Sequence, residues 1–154
     1  MFDPLFSKIL VAFDGSEPSK RALDIAAKTA AMFKGELVII TVIPKTPFPM
    51  LAEEGSSPFR AREYEVYQER MRESFRNSLE RAEAEIIERY PGLKYEAVLL
   101  EGRPSSTIVE EAESRDVNLI IMGSRGLGGI TGWILGSTSR KVVDQCTKPI
   151  LVVK

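Results

Sequence analysis

The sequence predicts an α/β fold of three layers, in which helices cover both faces of an open, five-stranded, mostly parallel sheet. Short apolar runs rich in β-branched residues alternate with amphipathic segments along the 154 residues, and this alternation is typical of repeated βαβ units. The apolar runs are near-continuous rather than alternating, which indicates strands buried on both faces of a sheet. Because connections between parallel strands are right-handed, we expect a doubly wound sheet.

Five segments have the composition of strands. A weaker run at 95–100 is expected at or near an edge of the sheet, and the four strongly apolar runs cover 9–13, 37–43, 119–122 and 150–153. The expected strand order is 3-2-1-4-5, with the first strand at the centre.

Four helical segments lie between the strands, at 19–33, 60–90, 104–114 and 139–146. The second has an apolar residue at every third or fourth position, which predicts one buried stripe on an otherwise charged helix. That stripe consists of Tyr64, Tyr67, Met71, Phe75, Leu79, Ala82, Ile86 and Tyr90. Residues 44–59 are rich in Pro and Ser and show no period, so we predict an inserted loop in a single domain spanning 1–154.

Composition excludes several kinds of function. The 21 basic and 22 acidic residues give a net charge of -1, so the chain has no overall basic footprint for nucleic acid or anionic lipid. It contains no histidine, which excludes Ser-His-Asp and Cys-His catalysis and His-ligated zinc. The one cysteine, Cys146, excludes an internal disulfide and a cysteine metal cluster. With neither a signal peptide nor a membrane span in the sequence, we expect a cytoplasmic protein.

Two strand ends carry the residues that bear on function. Ligands of open α/β sheets bind at the carboxyl ends of the strands, and these ends read AFDGS at 12–16 and MGSRG at 122–126. Six of the eleven glycines lie between Gly123 and Gly136, and their backbone N–H groups can form an anion-binding nest. Residues 136–139 then lead into a helix, whose N-terminal dipole favours phosphate. The pattern predicts a phosphate cradle; the alternative is a flexible glycine loop followed by a serine cap.

The spacing Gly123-x2-Gly126-x9-Gly136-Ser137 resembles the glycine signature of the ATP-binding branch of the universal stress protein family. Residues 11–16 are similar to the opening motif of that family, residues 121–126 to its fourth-strand motif and residues 148–153 to its closing strand. The resemblance extends over almost the whole chain.

The resemblance implies a Rossmann-like domain that binds ATP with a divalent metal, Mg²⁺ or Mn²⁺. It implies that the glycines and hydroxyls contact the phosphates, that Asp14 lies by the ribose or adenine, and that the main chain near Ala12 and Val42 reads the adenine edge. The residues expected to bind the nucleotide are Ala12, Phe13, Asp14, Val42, Met122, Gly123, Arg125, Gly126, Gly136, Ser137, Thr138 and Ser139. For Asp14 the residue-level alternative is an Asx turn with Gly15 and Ser16. For Arg125 the alternative to phosphate neutralisation is a solvated loop charge.

Three functional classes follow. The first is an ATP-binding regulatory module that acts as a homodimer through 150–153 and is read by an unidentified protein partner. The second is a slow metal-dependent ATPase or phosphotransferase that uses Asp14. The third is a stress-linked scaffold that no longer uses nucleotide. The P-loop, dinucleotide and hydrolase-elbow motifs are absent from the sequence. Because histidine is also absent, the sequence favours nucleotide binding without robust catalysis.

Overall fold

A parallel five-stranded sheet forms the middle layer of the protein. The computed structural model describes residues 4–45, 58–127 and 135–154. In these ranges the sheet consists of β1 (Lys8–Ala12), β2 (Glu36–Pro44), β3 (Lys94–Gly102), β4 (Leu119–Gly123) and β5 (Ile150–Val153). Its order is β3-β2-β1-β4-β5, and every pair of neighbours is parallel. The predicted order is confirmed, and β3 lies at an edge as expected.

Helices cover both faces of this sheet. They are α1 (Glu17–Phe33), α2 (Pro58–Arg89), α3 (Pro104–Ser114) and α4 (Ser137–Gln145). Successive side chains on a strand point to opposite faces, so in β1 Ile9 and Val11 pack with α1 and α2, whereas Leu10 packs with α3 and α4. Two separate apolar cores result, and the predicted three-layer arrangement is confirmed.

Several predicted boundaries were wrong by a few residues. Helix α4 begins at Ser137 rather than at residue 139, because the chain is extended only as far as Gly136 (φ -68°, ψ 166°). The loop predicted at 44–59 is too long at both ends. Pro44 still pairs with Gly102 of β3, and α2 begins at Pro58, since proline suits the first turn of a helix. The rest of that predicted loop, residues 46–57, lies outside the described residues.

Helix α2 is longer than the sheet that it covers. The predicted stripe is buried at Leu79, Ala82 and Ile86, but it is wrong at Tyr67, which is 55% exposed. The 32 residues of α2 extend about 48 Å at 1.5 Å per residue, whereas a nine-residue strand extends about 30 Å. The first turns of α2 therefore lie beyond the carboxyl edge of the sheet. No helix among the described residues is both long and apolar enough to span a membrane.

Candidate functional site

A cavity of about 220 Å³ lies at the carboxyl ends of β1, β2 and β4, beside the first turn of α4. All the residues that the sequence predicted to bind nucleotide line it together: Ala12, Phe13, Asp14, Val42, Met122, Gly123, Arg125, Gly126, Gly136, Ser137, Thr138 and Ser139. They come from four elements that are distant in sequence. The strand order brings them to one edge, because β1 lies between β2 and β4.

Asp14 links the end of β1 to the segment that follows β4. Its Oδ1 accepts a hydrogen bond from the Ser16 N–H at 2.9 Å, which is the Asx turn that the sequence offered as an alternative. Its Oδ2 accepts a second hydrogen bond from the Leu127 N–H at 3.1 Å. The carboxylate thus joins the end of β1 to Leu127 by a hydrogen bond, and it also lines the cavity.

Two glycines allow the chain after β4 to pass close to Asp14 and to the first turn of α1. A Cβ on Gly126 would lie 2.7 Å from Oδ2 of Asp14. A Cβ on Gly123 would lie 2.8 Å from the backbone carbonyl carbon of Pro18, in the first turn of α1. Real Cβ contacts are longer than this. At residue 123 the Cβ would meet backbone, which cannot move aside, whereas at residue 126 it would meet a side-chain carboxylate, which can rotate. Both glycines line the cavity, where they let a ligand approach the main chain.

The first turn of α4 presents backbone N–H groups at the cavity. Its N-cap, Gly136, has no side chain, so no side-chain cap forms, and Ser137, Thr138 and Ser139 occupy the first helical positions at the lining. The hydroxyl of Ser139 is buried and donates to the Ser124 carbonyl oxygen at 2.8 Å. The same oxygen accepts the Gly136 N–H at 2.6 Å. These bonds fix the helix end so that the dipole of α4 favours an anion there.

Sequence reasoning missed several lining residues: Ser19, Ile40, Pro44, Phe75, Pro104, Ile108 and Leu127. A signal was available for Ile40, because it lies two residues before Val42 in one strand and therefore faces the same side. No signal was available for Phe75. Its stripe predicts that it faces the protein, but the residues that it contacts depend on how α2 packs against the rest of the fold.

Two charged residues line the described part of the cavity, one of each sign. Among the described lining residues, Asp14 is the sole carboxylate and Arg125 the sole cation. The described ranges also contain no group of three or more Cys, Asp or Glu residues placed to hold a metal ion. An ion pair lies at the same sheet edge, where the Arg72 guanidinium of α2 donates to Glu101 of β3 through two nitrogens. Hydrogen bonding to Arg72 lowers the pKa of Glu101.

The model of the universal stress protein family matches residues 5–154. The chain belongs to this family. A universal stress protein of Methanocaldococcus jannaschii is 34% identical over 150 residues, which cover 97% of this chain and 83% of that one. The solved universal stress protein UspA of Lactobacillus plantarum shares the fold with a TM-score of 0.81 at 18% identity, covering 97% and 98% of the two chains. A universal stress protein solved in complex with cAMP has a TM-score of 0.63 and 25% identity, with coverage of 96% and 95%.

Proposed function

We propose that this universal stress protein is a regulatory module that binds an adenine nucleotide, with ATP as its ligand. One observation carries the proposal: the residues of the glycine signature and the end of β1 line a single cavity at the carboxyl edge of the sheet. The related protein solved with cAMP supports the adenine nucleotide as the ligand class. The residues expected to bind nucleotide would contact it in this cavity.

The phosphates would bind at the β4 and α4 side of the cavity. The N–H groups of Ser137 and Thr138 are in the first turn of α4, where no side chain caps the helix, and such N–H groups bind phosphate oxygens. Gly123 and Gly126 let a ligand approach the adjoining main chain. Arg125 lines the same side and adds positive charge.

The base would bind at the β2 side. Ile40 and Val42 supply apolar contacts there, and the end of β1 with Ala12 lies alongside. A nucleotide whose phosphates lie at α4 and whose base lies at β2 places its ribose over the end of β1, at Asp14. A carboxylate is a suitable acceptor for ribose hydroxyls, and each of the oxygens of Asp14 has lone-pair capacity beyond its backbone hydrogen bond.

A divalent cation, Mg²⁺ or Mn²⁺, would bind through the phosphates. The cavity offers Asp14 as its one described carboxylate, and hard cations of this size are commonly held by one or two carboxylates together with phosphate oxygens. The donor set therefore fits a cation that enters with the nucleotide. When bound, the cation would neutralise phosphate charge.

The second part of the proposal is a homodimer through β5. This strand lies at an edge of the sheet, and its Leu151 is 43% exposed. An exposed apolar edge strand is a template for pairing with another chain. A nucleotide at the cavity lies near this edge, because the Ser124 N–H donates to the Val153 carbonyl oxygen at 2.7 Å. Nucleotide binding can thus change the dimer surface, and dimerisation can change nucleotide affinity. A protein partner would bind one of the two states, nucleotide-bound or free, more tightly than the other.

Isothermal titration calorimetry with ATP, ADP and cAMP tests nucleotide binding. We expect the wild-type protein to bind at least one of them, and Gly136→Glu to weaken binding by about 100-fold, since a carboxylate at the α4 N-terminus occupies the anion position. The control is Gln145→Glu, which adds the same charge at the exposed opposite end of α4 and should bind as the wild type does. No heat from any adenine nucleotide at about 1 mM, or about 4 kcal/mol of binding free energy, would overturn the proposal.

A further inference from the structure

A second and larger depression lies between α1 and α2 on one face of the sheet. It has a volume of about 490 Å³, within the range of about 300–1,000 Å³ that is usual for small-molecule sites. We call it the α1–α2 groove. Its apolar floor consists of Leu23 and Ala27 of α1 and Ala82 and Ile86 of α2. Exposed charged side chains of the same two helices line its rim, among them Lys20, Arg81 and Glu85.

The groove adjoins the candidate nucleotide cavity. Phe13, Asp14, Phe75 and Leu127 line both. At the far end, an ion pair between Arg89 of α2 and Asp24 of α1 bridges the two helices, with 2.6 Å between Nη1 and Oδ1. The groove therefore borders the nucleotide cavity at one end and is bridged by the ion pair at the other.

The position of this shared boundary selects the part of a nucleotide that lies nearest the groove. The cavity is lined in order across the sheet by β2, β1 and β4, followed by α4. With the base at β2 and the phosphates at α4, the ribose lies at the end of β1. Phe13 and Asp14 follow β1 directly, and both line the groove. A group that enters the groove is thus attached at a ribose hydroxyl, neither at the phosphates nor at the base.

We propose that the site takes a nucleotide whose ribose hydroxyl carries an apolar substituent, an aromatic or acyl ester, which lies in the α1–α2 groove. This inference rests on the proposed nucleotide binding. The aromatic ring of Phe75 and the side chain of Leu127 line the boundary between the two spaces, and the substituent would pack on the apolar floor and remove that surface from water. Residues 74–89 of α2 extend about 24 Å, which sets the length of groove available to the substituent.

The test compares ATP with ATP that carries an N-methylanthraniloyl ester on its 2′ or 3′ ribose oxygen. We expect the ester to bind about tenfold more tightly than ATP, with a blue-shifted fluorescence, because the aromatic ring leaves water. Ser74→Trp places a large side chain into the groove from the exposed rim of α2. This variant should lose the tenfold advantage of the ester and keep the wild-type affinity for ATP, whereas Ser74→Ala should behave as the wild type.

A second pair of variants acts from the opposite rim. Lys20 of α1 is exposed and lines the groove, so Lys20→Trp should also remove the advantage of the ester and Lys20→Ala should not. If the ester binds no more tightly than ATP, or if both tryptophan variants leave its advantage intact, the groove inference is overturned while nucleotide binding stands. If neither ligand binds the wild-type protein, the proposed function has failed, and this inference with it.

Discussion

At the scale of single residues, Asp14 shows how a local motif and a site can share one side chain. Sequence reasoning offered an Asx turn or a ribose contact as alternatives. The structure shows the Asx turn with Ser16. It also shows a hydrogen bond from the Leu127 N–H to Asp14, which no local sequence pattern predicts. The second bond spans 113 positions of sequence, so only the packing of β1 beside β4 reveals it. The ribose contact remains a proposal, and it is compatible with both bonds.

Asp14→Asn tests whether the two hydrogen bonds that Asp14 accepts stabilise the fold. An amide has one acceptor oxygen and one donor nitrogen, so the N–H of either Ser16 or Leu127 would face another donor. We expect a loss of about 1–2 kcal/mol in the free energy of unfolding, measured with urea. Asp144→Asn, at an exposed position of α4, is the control and should change little. Equal stability of the Asp14 variant and the wild type would show that the bonds to Asp14 contribute nothing.

The glycines at 123 and 126 are predicted to differ in what they tolerate. The Cβ of Gly123→Ala meets the backbone of Pro18 and Ser19, which cannot move without shifting α1, so we expect a loss of about 3 kcal/mol. The Cβ of Gly126→Ala meets only the Asp14 carboxylate, which can rotate after it releases Leu127. We expect this variant to lose about 1 kcal/mol. Urea unfolding measures both, and the reverse order of stability would contradict the contacts described.

At the scale of elements, periodicity identified every described strand and the four α-helices but not where they end. Its failures have physical causes. The α2 stripe is correct only where the helix lies over the sheet. Tyr67 is exposed, because no other element in the described part of the chain covers it, and periodicity predicts which face of a helix is apolar but not what covers that face. The starts of α1, α2 and α4 were missed by two residues each. Pro58 and Ser137 were assigned to loops although both suit the first turn of a helix.

The Arg72–Glu101 pair joins α2 to the end of β3, and it makes stability depend on pH. The hydrogen bond from Arg72 lowers the pKa of Glu101 in the folded protein below the value of about 4.3 in an unfolded chain. The pair therefore stabilises the fold fully above that value, and the stabilisation is lost as the pH falls through the lower folded pKa.

Glu101→Gln should lower the urea midpoint at pH 7 and lose less stability than the wild type between pH 5 and pH 3. Because both side chains are well exposed, the difference should also shrink in about 1 M salt. Parallel stability profiles of the two proteins across this pH range would rule out the contribution of the pair.

At the scale of the whole molecule, the predicted strand order was enough to bring the predicted site residues together. With β1 between β2 and β4, the ends of three strands lie at one edge, and sequence spacing selected the residues found there. The spacing between α1 and α2 could not be predicted, because it depends on how the two helices pack on the sheet. The groove, and the position of Phe75 between two cavities, result from that packing.

The β5 edge predicts the assembly state. Leu151→Lys places a charge on the exposed edge strand and should convert a dimer to a monomer in sedimentation velocity. Val143→Lys is a matched control, because Val143 on α4 is also 43% exposed but lies off the edge. A wild-type monomer at all concentrations, or a dimer that survives Leu151→Lys, would contradict the proposed interface.

The most direct test of nucleotide binding at the carboxyl edge is a crystal structure of the protein grown with ATP and Mg²⁺. We expect phosphate oxygens within hydrogen-bond distance of the N–H groups of Ser137 and Thr138, the ribose beside Asp14, and the base against Val42. The bonds from Asp14 to Ser16 and Leu127 should persist. A nucleotide bound elsewhere on the protein, or one whose phosphates lie away from the first turn of α4, would contradict the proposed site.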